Sequence, residues 1–235
     1  MSTQEERQHI IDVFHRRYAT KKFDPNKKIS DADWQTIIEA GRLSPSSFGY
    51  EPWKFLLIEN PEIKEDLKKI CWGAVNSLNG ASHFVIILAR KNVTINSPHV
   101  KHMVEDVMGV DFDVHSPRSE KFKSFQENVF DLNSDRALCD CASKQSYIPL
   151  TNMMTVAAEL GIDSCPIEGF NRAKVDKYLA DKGIIDPNKF GASVMLVIRS
   201  NQRRPGNQWM KYWKSLNSFI DKKRLGFVLK SNLFC

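Results

Sequence analysis

A single domain of mixed helix and strand, with a central sheet covered by helices, is what this 235-residue sequence predicts, and three features predict it. Two continuous apolar runs, Phe84-Val85-Ile86-Ile87-Leu88-Ala89 and Ala192-Ser193-Val194-Met195-Leu196-Val197-Ile198, have the composition of strands buried on both faces. A long stretch, 134–160, repeats its apolar residues near helical spacing. The strand candidates lie far apart in sequence, so helices fill the intervals and cover the sheet. Strand directions do not follow from this pattern.

The elements follow in order. Residues 4–16 read as a helix in which Ile10, Ile11, Val13 and Phe14 form an apolar stripe that ends before a basic segment. Ser30 is placed to cap a second helix: its hydroxyl can accept a first-turn N–H, and Asp33 adds a favourable charge there. Trp34, Ile37, Ile38 and Leu43 supply the buried face of that helix, and Gly41 and Pro45 mark its end. Residues 53–59 form a strand candidate, and Pro61 opens a short helix that reaches to about residue 70. From Pro98 to Phe130 the chain is charged and helix-leaning, broken at Gly109 and Pro117, and reads as a lid or insertion spanning about 98–133.

Within 134–160, Leu138, Ala142, Gln145, Pro149, Met153, Val156 and Leu160 fall close to one face, with Gly161 as C-cap. Pro149 would cost about 3 kcal/mol in a helix interior, which predicts a kink or break there. Residues 171–181 are helical. The remainder, 199–235, is basic and aromatic, with Trp209, Tyr212 and Trp213. It has too little apolar content for a core of its own and is expected to lie as a tail on the main body or on another subunit. The sequence presents no internal repeat.

Composition excludes several classes. The chain is 42% apolar with a mean hydropathy of −0.39, and no apolar run approaches the roughly 20 residues of a membrane span. The first residues are polar and mixed in charge, without the apolar core of a secretory signal. Five cysteines, at 71, 139, 141, 165 and 235, have no regular spacing, which suits a reducing cytoplasm better than a disulfide framework. The net charge of +6 fits a solvated basic surface that attracts phosphorylated ligands. No zinc-finger or RNP-type pattern points to nucleic acid.

Three segments carry the chemistry. They are Arg16-Arg17-Tyr18-Ala19-Thr20-Lys21-Lys22-Phe23, then Leu43-Ser44-Pro45-Ser46-Ser47 with Pro52-Trp53-Lys54-Phe55, then Leu160-Gly161-Ile162-Asp163 with Pro166-Ile167-Glu168-Gly169-Phe170. Ala81-Ser82-His83-Phe84-Val85 and Lys144-Gln145-Ser146-Tyr147 accompany them. In this order and spacing they resemble the nitroreductase family of FMN-dependent oxidoreductases, over roughly residues 10–200.

The resemblance implies an α+β fold: a central, mostly antiparallel sheet flanked by helices on both faces, with the C-terminal tail exchanged across a homodimer. It implies FMN as cofactor and NAD(P)H as electron donor. Arg17, with Arg16 beside it and the backbone of Tyr18 and Ala19, would hold phosphate and ribityl. An arginine can grip a phosphate bidentately, and Lys21 would place a positive charge where the reduced ring gains negative charge. Ala19 departs from the serine frequent in the family. Pro45, Ser46 and Ser47 would wall a flavin bound mainly by the other subunit, offering hydroxyls and free amides on a rigid turn.

Pro166 and Ile167 would pack on one flavin face, with the amides of Glu168 and Gly169 facing its N5 and O4 edge and Gly169 permitting an unusual backbone angle. Asn76, with Asn79 as competitor, would meet the pyrimidine edge. Lys222 and Arg224 would close the phosphate site, with Arg203, Arg204, Lys211 and Lys214 as competitors. Phe122 and Phe125 would cover the acceptor or pack a dimer. No side chain need be a nucleophile, because flavin N5 carries the chemistry. The implied activity is ping-pong reduction of flat acceptors such as nitroaromatics, quinones or flavins; the alternative is a non-catalytic flavin-binding module on the same fold.

Other motifs are discounted. No G-x-G-x-x-G, G-x-x-x-x-G-K-[ST] or G-x-S-x-G pattern is present. His99 and His102 with Glu105 and Asp106 suit a solvated helix face better than a metal site, and no metal is expected.

Overall fold

The computed structural model of the chain describes residues 2–17, 19, 28–79 and 81–199. Helices α1 (Gln4–Arg16) and α2 (Asp31–Arg42) precede strand β1 (Trp53–Leu57). Helices α3 (Pro61–Lys68) and α4 (Val75–Leu78) lead to β2 (His83–Arg90). Short helices α5 (Pro98–His102) and α6 (Pro117–Ser124) follow, then the long α7 (Asp135–Glu159), β3 (Asp163–Ile167), α8 (Arg172–Asp181) and β4 (Phe190–Arg199).

The sheet has the order β1-β2-β4-β3 and every neighbouring pair is antiparallel. The α+β architecture is therefore as expected. Its two central strands alternate between two cores. Phe84, Ile86 and Leu88 pack in one layer with Leu67 of α3, Leu78 of α4, and Val175 and Leu179 of α8. Val85 and Ile87 pack in the other with Trp34 and Ile37 of α2 and Leu150, Met153 and Ala157 of α7. Helices on both faces explain why β2 and β4 read as continuous apolar runs rather than alternating ones. Truncating Ile86, which is fully buried, to Ala costs about 2–5 kcal/mol by this packing.

Local chemistry sets the helix ends. Ser30 Oγ accepts from Asp33 N at 3.1 Å, the cap that the sequence predicts. At the end of α7, Gly161 N–H donates to Ala158 O (3.0 Å) and Ile162 N–H to Ala157 O (2.8 Å), with Gly161 at φ 73°. These are the paired bonds of a Schellman ending, and the positive φ is why glycine stands there. Helix α7 runs through Pro149 without interruption, so the break expected at that residue does not occur. Proline removes one N–H, but Pro149 is buried and α7 is held against α2 and the sheet by apolar contacts on both sides of it.

Two further features differ from the sequence reading. Strand β3, which the sequence pattern does not announce, is a fourth strand at the sheet edge; Pro166 is tolerated there because an edge residue can lack an N–H without breaking the ladder. The 98–133 segment also contains a repeat. Ser97-Pro98 and Ser116-Pro117 each start a helix, the serine accepting a first-turn N–H. Each helix then runs into a π-turn, Met103–Val107 or Phe125–Val129. Met108 N–H bonds Met103 O and Val110 N–H bonds Val104 O; Phe130 N–H bonds Phe125 O and Leu132 N–H bonds Gln126 O. Gly109 (φ 67°) and Asp131 (φ 51°) take the same left-handed position after the turn.

Tyr18, Lys21, the tail residues Lys222 and Arg224, their competitors and the tail aromatics lie outside the described residues.

Candidate functional site

The loop that leaves β3 is fixed by its backbone. Gly73 N–H donates to Gly169 O (2.7 Å), Asn171 N–H to Ile70 O (3.0 Å) and Phe170 N–H to Glu168 O (2.8 Å). None of these bonds uses the amides of Glu168 or Gly169. A Cβ on Gly169 would meet Gly73 Cα at 2.8 Å and Trp72 Cζ3 at 2.9 Å. Gly169 is glycine because two backbones touch, and it is not among the residues at positive φ; the unusual backbone angle expected of it is corrected. Tyr147 OH donates to Glu168 Oε1. Burial, reinforced by this carboxylate, pushes the phenol's pKa up, so Tyr147 stays protonated as the donor.

The basic segment meets this strand. Ala19 forms a parallel bridge with Ser164, on the edge of β3 away from β4. Residues far apart in sequence are thereby set within a few residues of Pro166 and Ile167. Arg17 ends α1, its N–H bonded to Val13 O at 3.0 Å; its half-buried side chain makes no ion pair with any described residue. Arg16 instead approaches Ala158 O at 3.4 Å, at the C-terminus of α7, where a cation suits the helix dipole. Ser164 Oγ is buried with no hydrogen-bond partner among the described residues.

The 44–53 loop is held from within and from above. Ser44 Oγ donates to Ala40 O (2.9 Å) and accepts from Asn152 Nδ2 (2.8 Å). Ser46 Oγ accepts from Glu51 N (2.8 Å), and Ser47 N–H donates to Gln145 Oε1 (2.9 Å). The Ser46 hydroxyl oxygen and the amide of Ser47, an amide expected to be free, thus hold the turn, while Pro45 is exposed. Phe48 and Glu51 sit at φ 60° and 42°, a conformation that the surrounding contacts must maintain.

Those contacts come from the 98–133 segment. Phe122 stands 4.9 Å from Phe48 and 4.8 Å from Tyr50, ring centre to ring centre, and Phe125 stands 5.3 Å from Phe48. His99 Nε2 bonds Tyr50 O at 2.6 Å, and an Arg118 N–H donates to Phe48 O. Phe122, expected to cover the acceptor or to pack a dimer, is buried in this third core, where the loop's aromatics occupy its face. Phe125 lines a cavity of about 40 Å³ with Tyr50, Gln126 and Gln145. That is room for two or three waters by an order-of-magnitude count.

Burial, with Arg90 nearby, depresses the His99 pKa to about 4, so the ring is neutral and donates to Tyr50 O. His102 bonds Asp106 (2.6 Å). No cluster of potential metal ligands occurs among the described residues. Asn76 is exposed on α4, whereas Asn79 Oδ1 accepts from Lys68 Nζ at 2.6 Å; the side chain of Asn76 is the less engaged of the two.

One helix joins the two loops. Gln145 holds Ser47, and Tyr147 holds Glu168. Residues two apart on an α-helix point about 200° apart, so the loops attach to opposite sides of α7. Gly73 and Trp72 carry no mark in the sequence, because their contacts to Gly169 join segments far apart along the chain.

The match to the nitroreductase family profile covers residues 15–184. A Staphylococcus aureus (strain USA300) protein provisionally named NAD(P)H nitroreductase is 51% identical over 198 residues, 84% of this chain and 89% of the relative. A Bacillus subtilis structure provisionally assigned as the nitroreductase ydfN superposes with TM-score 0.66 at 22% identity, over 86% of this chain and 93% of that one. An Exiguobacterium sibiricum structure, also provisionally a nitroreductase and solved in complex with FMN, gives TM-score 0.61 at 18% identity over 83% and 89%. The fold is shared with both structures, and with most of its length matched by the profile and half of its aligned residues shared with a relative of similar extent, the chain belongs to the nitroreductase family.

Proposed function

We propose that this chain is an FMN-dependent oxidoreductase that uses NAD(P)H to reduce flat electron acceptors such as nitroaromatics, quinones or flavins. The observation that carries this reading is the Ala19–Ser164 bridge, which draws the basic segment to the strand ending in Pro166-Ile167-Glu168-Gly169. The residues fit FMN. Arg17 is a half-buried cation without a described ion-pair partner, suited to a phosphate dianion. The Glu168 and Gly169 amides lie outside the loop's own bonds, and the glycine pair keeps that loop rigid.

In this reading Arg17 and the Ala19 backbone hold phosphate and ribityl, joined by Tyr18, Lys21, Lys222 and Arg224. Pro166 to Gly169 and Asn76 frame the ring. Bound FMN would supply the hydride chemistry, and donor and acceptor would use one face in turn, which makes the kinetics ping-pong. The protein's part is orientation and charge.

The same reading makes the enzyme a homodimer with shared sites, located in the cytoplasm. Ile10, Ile11 and Phe14 of α1 are each about half exposed, an apolar stripe suited to a second copy. The attachment of the two loops to opposite sides of α7 supports a site completed by the partner's 44–53 loop. The described cysteines are free, which fits a reducing compartment. Among the described residues no helix is long and apolar enough to cross a membrane.

An absorption spectrum of the purified protein tests the proposal. A yellow protein that bleaches with NADH or NADPH without oxygen is the expected result. A colourless protein that cannot take up FMN would sink it. Light scattering on the FMN-bound protein should give a dimer mass, and a monomer that retains FMN overturns the shared site.

A further inference from the structure

Trp72 is at odds with its setting. The residue is 77% exposed, the most exposed of the large apolar residues described. Yet the backbone on both sides is fixed. Cys71 is fully buried and its N–H donates to Leu67 O (2.8 Å), Gly73 N–H donates to Gly169 O (2.7 Å), and Ala74 N–H returns to Cys71 O (2.9 Å). The core beneath includes Leu67, Cys71, Ala74 and Leu78 and closes without the indole. One edge of the ring, at Cζ3, lies against Gly169, since a Cβ there would meet it at 2.9 Å. The indole is therefore a rigidly rooted, solvent-facing aromatic surface at the border of the 166–170 loop.

We propose that Trp72 is a specificity-determining residue that stacks planar, electron-poor aromatic acceptors beside that loop. The inference rests on the flavin reading above and adds to it a side chain that selects the acceptor. Three features support it. An indole face is electron-rich and prefers offset stacking on a flat, electron-poor ring. The backbone that carries it is fixed by the Gly73–Gly169 contact, so only side-chain torsions remain to be ordered when a ligand arrives. An acceptor on Trp72 would also be next to Gly169, whose amide faces the redox edge of the cofactor in that reading.

The test compares wild type with Trp72→Ala and Trp72→Phe, all purified as dimers with FMN content measured. Two acceptors are used with NADH or NADPH: menadione, which is planar, and ferricyanide, which needs no stacking. Trp72→Ala should raise KM for menadione roughly three- to tenfold while kcat stays within about twofold, and Trp72→Phe should retain most of the wild-type KM. Ferricyanide kinetics, FMN content and Tm should not move. Equal losses with both acceptors, unchanged menadione kinetics in Trp72→Ala, or loss of the dimer in that variant would each overturn the assignment. Failure of the flavin reading is distinguishable, since it would show as wild-type protein without FMN, whereas any of these three failures of the inference leaves wild type yellow and active on menadione.

Discussion

The two loops tied to α7 are fixed by different means. The 166–170 loop is held by backbone against backbone: Gly73 and Gly169 touch, two more main-chain bonds close the turn, and one side chain, Tyr147, reaches in. The 44–53 loop is held by side chains: an aromatic cluster of Phe48, Tyr50, Phe122 and Phe125, with His99 and Arg118 bonding its carbonyls. The first arrangement leaves the amides of Glu168 and Gly169 outside the loop's own bonds and cannot accept even a methyl group at Gly169. The second spends its polar groups on itself and supplies shape. A cofactor edge that must be met at fixed distance suits the first kind, and a wall suits the second.

The sharpest way to break this contrast is Gly169→Val. The new side chain would collide with Gly73 Cα, so the two segments must separate. We expect loss of most bound FMN, at least tenfold in affinity, with a lowered Tm; absorbance after gel filtration and a thermal melt check both. Retention of full FMN content would show that the glycine contact does not set the site.

Phe122→Ala attacks the other loop. Removing a buried Phe costs about 3–5 kcal/mol, read by urea denaturation. FMN content should fall less than in Gly169→Val, because the wall loosens while the 166–170 loop stays. The reverse order of cofactor loss would overturn the assignment of roles.

Acid should act on the same wall. His99 has a folded pKa near 4 against an ordinary 6.5, so between these values the unfolded chain binds more protons than the folded one. Stability from this group is present above about pH 6.5 and is lost as pH falls towards 4. Denaturant midpoints at pH 7.5 and 5 should show this fall, and His99→Asn should flatten it; an unchanged slope in the variant would assign the effect elsewhere.

The smallest effect is expected from Tyr147→Phe, which removes one hydrogen bond to an exposed carboxylate, about 0.5–1.5 kcal/mol at most. Combined with Gln145→Ala, the losses should add, since each bond serves a different loop. Coupling of more than about 0.5 kcal/mol would mean that the loops communicate through α7.

Much of this was legible in the sequence. The buried strands read clearly because the middles of β2 and β4 face two cores and are nearly all apolar. Ser30 announced its helix because capping is local chemistry. What escaped was set by distant partners or by backbone geometry. Pro149 looks like a break when only its missing N–H is counted, and the packing that outweighs it is tertiary. Asp163-Ser164-Cys165-Pro166-Ile167 lacks strand alternation and became a strand through β4. Gly169 suggests a turn angle until Gly73 is placed beside it. The repeat between 98 and 133 was hidden because the two π-turns share a hydrogen-bond pattern but not residues: Phe125 stands in the second where Met103 stands in the first, and Gln126 where Val104 stands.

That repeat changes how the segment between β2 and α7 should be regarded. A doubled helix–turn unit has the look of an accessory gained by duplication, and an accessory can ordinarily be trimmed. Here its second copy carries Phe122 and Phe125, the aromatic partners that keep Phe48 in a left-handed conformation. Cutting it out would free the 44–53 loop to relax into ordinary backbone angles, so this doubled unit is a condition for that loop to keep its shape.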